Sequence, residues 1–225
     1  MNELILLLQI FLIIAFTFIA LKISKNALIM LISLQAVIAN LFVLKQINLF
    51  GLNATCADAF VIGSVLGINL LQEYYGKEIA DKTVIISFFA MLFYMVVSFV
   101  HMLYIPNTFD WANNYFSELL KFAPRISIAS FASYLISVKF NNFIYKFLEN
   151  KLNNKYFLFR NLASIILSQA LDTIIFSFLG LYGLVGNILQ VMLVGFSLKL
   201  IVIFISTPLL SFVKNILKLN LNNNN

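Results

Sequence analysis

Seven runs of about 20 mostly apolar residues follow one another along this chain, and each is long enough to cross the roughly 30 Å hydrocarbon layer of a bilayer as a helix. They are Leu4–Leu21, Ala27–Leu44, Leu52–Leu71, Thr83–Tyr104, Phe122–Phe140, Asn161–Leu181 and Ile188–Val213. No water reaches a backbone group at that depth, so a run of this kind must satisfy its N–H and C=O groups internally, as a helix does. The rest of the composition agrees. The 225 residues are 62% hydrophobic and 11% charged, against about 25% charged in soluble domains. The expected fold is all-α, a polytopic membrane helical bundle, with a single membrane domain over 1–218 and a disordered tail over 219–225 that ends in four asparagines. The first run carries Glu3 where a leader would be basic and lacks a small-residue cleavage pattern before Lys22, so it reads as an uncleaved helix.

Lysine and arginine set the expected orientation. If every run spans, Lys22, Lys25, Lys77, Lys82, Lys139, Lys146, Lys151, Lys155, Arg160, Lys214 and Lys218 share one side, and only Lys45 and Lys121 mark the other. Cationic loops stay in the cytoplasm. This places the N-terminus outside and the C-terminus inside a bacterial inner (plasma) membrane. The net charge of +6 is therefore topological and not a nucleic-acid footprint. Between Pro106 and Ser117 an outer loop with interfacial aromatics is expected. Asn141–Tyr156 reads as an amphipathic cytoplasmic extension of the fifth run, lying along the membrane surface.

An ionisable side chain inside a span costs a few kcal/mol, roughly, and calls for a reason. Asp172 and Lys199 sit at similar distances from the turn around Gly183, hence at similar depth. They read either as a buried structural ion pair or as a ligand site in which Asp172 accepts N–H bonds. Gln169 and Ser168 lie one turn before Asp172 on the same face. Asn69, Gln72, Glu73 and Gly76 form one face at the end of the third run; this is either a solvated end with Glu73 paired to Lys77, or part of a site. Ala59, Gly63 and Gly67 on that run let another helix approach closely. Arg125, after Pro124, either snorkels to headgroups or points inward as a donor. Gln35 and Asn40 are amides in an apolar run, and an amide suits a heterocycle edge. His101 alone carries no metal or proton role. The single Cys56 rules out an internal disulfide and a cysteine metal cluster.

No Walker A loop, H-E-x-x-H or G-x-S-x-G motif is present, so the chain reads as a small-molecule transporter and not an enzyme, with no cofactor or metal. Other readings are a substrate-binding subunit served by a separate ATPase module, an intramembrane enzyme using Asp172, or a non-transporting assembly subunit. Asn69-Leu-Leu-Gln-Glu73-Tyr-Tyr-Gly76-Lys77, Pro124-Arg125-Ile-Ser-Ile-Ala-Ser, Ser168-Gln169-Ala-Leu-Asp172-Thr173 and Lys199 occur in this order. Together they resemble the queuosine-precursor transporter family, from about Ala39 to Lys214. Many members carry an aspartate where this chain has Asn69. The resemblance implies an inner-membrane importer of 7-deazaguanine compounds for transfer RNA modification. It also implies a six-helix core similar to the substrate-binding subunits of energy-coupling-factor vitamin transporters, to which the first helix is an addition. Substrate-binding residues on this reading are Asp172, Lys199, Gln169, Asn40, Glu73, Asn69 and Arg125.

The orientation has a direct check. In a Cys56→Ser background, a cysteine at Asn113 should react with an impermeant maleimide on intact cells, and one at Asn153 should react only after permeabilisation. Labelling at 153 but not at 113 would show the inverted topology.

Overall fold

The computed structural model describes residues 1–153, 155–201 and 203–204. Helices dominate: α1 (Asn2–Ile23), α2 (Lys25–Phe42), α3 (Asp58–Tyr75), α4 (Lys77–His101), the short α5 (Asn113–Leu120), α6 (Ala123–Lys151) and α7 (Phe157–Phe176). A final helix, α8, spans Ile188–Ile201. Among the described residues, α1, α2, α4, the α5–α6 stretch and Leu162–Leu181 are long and apolar enough to cross a membrane. The protein is a multi-pass α-helical membrane protein. The remainder of the seventh run, with Lys214, Lys218 and the asparagine tail, lies outside the described residues.

The chain divides into two compact units. The first contains Met1–Ala39, Cys56–Met91 and the described residues from Ser197 on. Its core brings Ala20 and Leu21 of α1, Leu28 and Ile32 of α2, Leu66, Leu70 and Leu71 of α3, and Ala80 of α4 together. The small-residue steps of α3 are where its neighbours come close. A Cβ built on Gly63 would collide with the Ile13 side chain and lie 2.6 Å from Gln35 Oε1, and one on Gly67 would lie 2.6 Å from Ile32 Cγ1. Gln35 of α2 is buried here and accepts a bond from Ser64 Oγ at 3.4 Å. The Ser33 and Ser87 hydroxyl oxygens lie 3.2 Å apart, each also within reach of a carbonyl in its own helix; with one proton apiece, one hydroxyl can donate across to the other while the second donates to its own helix.

The second unit contains Asn40–Thr55 and Leu92–Phe196. The third apolar run, expected to be helical from Leu52, begins instead with a strand. Gln46–Leu49 (β1) and Leu52–Thr55 (β2) pair antiparallel, Gln46 opposite Thr55 and Leu49 opposite Leu52. Phe50 and Gly51 form the turn with φ of 51° and 81°. Positive φ at both positions gives the twist that joins two strands directly, and Gly51 takes it without strain. The hairpin is clamped to the connection before α8. Gln46 Nε2 donates to the Leu184 carbonyl at 3.1 Å, Gly186 N donates to Gln46 Oε1 at 2.8 Å, and Asn53 donates to Gln190 Oε1 from both N and Nδ2 at 2.9 and 2.7 Å.

The loop expected over Pro106–Ser117 contains the start of α5. Asp110 Oδ1 accepts the Ala112 and Asn113 N–H groups at 3.0 Å each, satisfying donors that a helix start leaves open. The fifth run and its extension form one unbroken helix, α6, of 29 residues. Pro124 sits in its first turn, where a missing N–H costs nothing. α6 packs along α7, and α7 passes into a π-helical turn, Ser177–Leu181.

Gly63→Ala should lower the detergent stability of the protein by about 1–3 kcal/mol, because the added methyl has no room beside Ile13 and Gln35. Gly51→Ala, at a turn with open space, should suffer only from its positive φ. Comparing the two melting temperatures checks the packing, and an unchanged melting temperature in Gly63→Ala would refute it.

Candidate functional site

The seven candidate residues fall into two groups. Asn40, Arg125, Gln169 and Asp172 belong to the second unit; Asn69, Glu73 and Lys199 belong to the first. In the second unit, Asn40 is buried in the last turn of α2, where Oδ1 accepts the Ser130 hydroxyl of α6 at 2.9 Å. α6 in turn packs along α7, which presents half-buried Gln169 and Asp172 one turn apart. Ser168 is buried, and its hydroxyl is held on its own helix by the Ile165 carbonyl at 2.8 Å. Thr173 likewise donates to the Gln169 carbonyl at 2.9 Å. The carboxylate and the amide are the strong acceptor and donor groups of this face.

Arg125 has a well-defined place. Nε donates to the Leu179 carbonyl at 2.8 Å and Nη2 to the Tyr182 carbonyl at 2.7 Å. A helix leaves carbonyls unpaired at its C-terminal end, where positive charge is favoured. The guanidinium therefore closes the π-helical turn that ends α7. Gly180 permits the close approach there, since a Cβ built on it would lie only 3.2 Å from Ala129 Cβ. π-helical turns inside α-helices often accompany function.

In the first unit, Asn69 is half-buried on α3, and Glu73 is exposed one turn later, before Gly76 ends the helix at φ 89°. The ion pair formed just beyond is Lys82 with Glu78, at 2.7 Å. Lys199 is half-buried in α8.

One strongly placed charge escapes a reading of the sequence. Arg160, grouped there with the loop cations, is only 4% exposed. Nη1 bonds to Glu149 Oε1 at 3.0 Å, and the guanidinium lies 5.2 Å from the Tyr145 ring centroid. Arg160 Nε, Asn141 Oδ1 and the Ser127 and Ser137 hydroxyls of the same unit are buried without a protein partner. Ser137, Asn141, Tyr145 and Glu149 follow at steps of four along α6, so they line one helical face. The hint in the sequence is Glu149, the one acid between Lys139 and Arg160.

A cavity of about 470 Å³ opens at the α4–α5 connection, lined by His101, Asp110, Asn113, Phe116 and Ser117 among others. None of the seven candidates reaches it. His101 meets Tyr104 and Phe116 edge-on there, at 5.9 and 5.7 Å. Among the described residues no group of His, Cys, Asp and Glu is arranged to hold a metal ion.

Comparison with known proteins gives these positions a context. The family model described as "Putative vitamin uptake transporter" matches residues 55–213. That stretch includes every candidate except Asn40, and it omits α1, α2 and nearly all of the hairpin. A "Probable queuosine precursor transporter" of Bacillus subtilis (strain 168) is 29% identical over 163 residues, covering 71% of each chain. No solved structure matches. With the family model covering well over half of its length, this chain belongs to the vitamin uptake transporter family.

Proposed function

We propose that the protein imports a queuosine precursor, a 7-deazaguanine base or queuine, across the bacterial inner membrane for transfer RNA modification. The observation that carries this reading is the likeness to the Bacillus subtilis queuosine precursor transporter, together with a family match that takes in Asp172 and its polar neighbours. The chemistry supports it independently. A deazaguanine presents N1–H and a 2-amino group side by side, and a carboxylate accepts such a pair with both oxygens. Its carbonyl needs a donor, which an ammonium or an amide supplies.

On this reading Asp172 accepts the paired N–H groups, and Gln169 donates to the carbonyl. Asn40 contributes an amide whose orientation Ser130 fixes through Oδ1. Glu73, at the end of α3, closes the cytoplasmic gate. Arg125 holds the π-helical end of α7 in shape, which positions the helix that carries Asp172.

Asp172→Asn replaces an acceptor with a donor facing the ligand's N–H groups. Loss of a charged hydrogen bond costs about 1.5–3 kcal/mol, so precursor uptake should weaken roughly tenfold to a hundredfold with membrane insertion intact. Wild-type uptake by a well-expressed variant would sink the assignment.

A further inference from the structure

α6 is longer than a bilayer crossing requires. Its 29 residues rise about 43 Å at 1.5 Å each, against roughly 30 Å of hydrocarbon. A helix entering the hydrocarbon at Ala123 therefore leaves it near Phe143, and its last turns run at headgroup depth.

Those turns carry an unusual face. Lys139, Phe143, Lys146, Phe147 and Lys151 fall at i, i+4, i+7, i+8 and i+12, a single helical stripe, and all five are exposed. Phe143 and Phe147 stack with ring centroids 6.5 Å apart, and Lys151 Nζ lies 5.8 Å from the Phe147 centroid. Lys155 follows, with exposed Tyr156 and Phe159 beyond it. Glu149, the acid of this segment, is engaged by buried Arg160. The four lysines have no carboxylate partner among the described residues.

A purely apolar face would indicate lipid tails, and a purely cationic one would indicate water. Phenylalanine and lysine sharing one face at this depth meet the requirements of the boundary between them. The rings sit at the ends of the acyl chains, and the flexible lysine stems carry ammonium groups out to the phosphates. We propose that this face of α6 binds the headgroups of anionic phospholipids, the four lysines holding their phosphates. The inference does not depend on what the protein transports.

The test is competition for lipid. Detergent-purified, delipidated protein receives equal amounts of phosphatidylglycerol and phosphatidylcholine, and retained lipid is counted by native mass spectrometry. The wild type should retain phosphatidylglycerol about fivefold or more over phosphatidylcholine, the share expected from even one ammonium near the surface, and added salt should erode the preference. Lys139→Gln/Lys146→Gln/Lys151→Gln/Lys155→Gln should lose it, and four Lys→Arg changes should keep it. If the quadruple glutamine variant does not fold, Lys146→Gln/Lys151→Gln should show a reduced preference. Equal retention of both lipids by the wild type overturns the proposal, including the case in which a protein partner occupies this face. An undiminished preference in a folded glutamine variant overturns it too.

Discussion

Hydrocarbon offers a polar group no partner, so most polar side chains in this protein that meet another segment bond within the chain. Those bonds tie segments together in both units. The Ser33 and Ser87 hydroxyls share their two protons between each other and the carbonyls of their own helices. The Arg125 guanidinium takes two carbonyls that the end of α7 leaves open. Gln190 Oε1 receives two N–H bonds from Asn53, and Gln46 both donates to and accepts from the same connection. Apolar side chains are interchangeable between lipid and protein, so these bonds supply much of the specificity with which one segment chooses another.

The same constraint bears on transport. A site that accepts a polar heterocycle within the membrane must offer it strong donors and acceptors. On α7 the hydroxyls of Ser168 and Thr173 are held by their own helix, and the face beside them presents the Asp172 carboxylate and the Gln169 amide. On α6, Ser130 is committed to Asn40, while the buried hydroxyls of Ser127 and Ser137 have no protein partner. An unmade hydrogen bond of this kind costs about 1–3 kcal/mol.

The helical class is legible in the apolar runs, and so are most helices, because a run of about twenty apolar residues has few other solutions. The small-residue face of α3 is legible too, since only Ala59, Gly63 and Gly67 admit a close neighbour. The hairpin is not. Leu52 and Ala54 look like the start of a helix, and what makes their segment a strand is a turn at Phe50–Gly51 and four bonds between the hairpin and residues 137 to 140 positions away. Arg160 is hidden for a similar reason: its burial depends on Glu149 and Tyr145 across a helical hairpin, and loop cations of similar sequence context stay in solvent. For the candidate site, the sequence singles out residue types and depth, whereas the engagement of Arg125 with two backbone carbonyls requires coordinates.

The contact between α1 and α3 bears on how the chain enters the membrane during synthesis. α1 leaves the ribosome before α3, the helix whose Gly63 receives Ile13. It is equipped to wait. The polar side chain it buries, Thr17, bonds to the Ile13 carbonyl of the same helix at 2.8 Å, and its exposed residues are apolar apart from Lys22. α3 is not so equipped, since Asp58, Asn69, Gln72 and Glu73 lie along its 18 residues. α1 therefore offers this more polar segment an apolar surface to pack against. That surface lies outside the stretch that the family model matches.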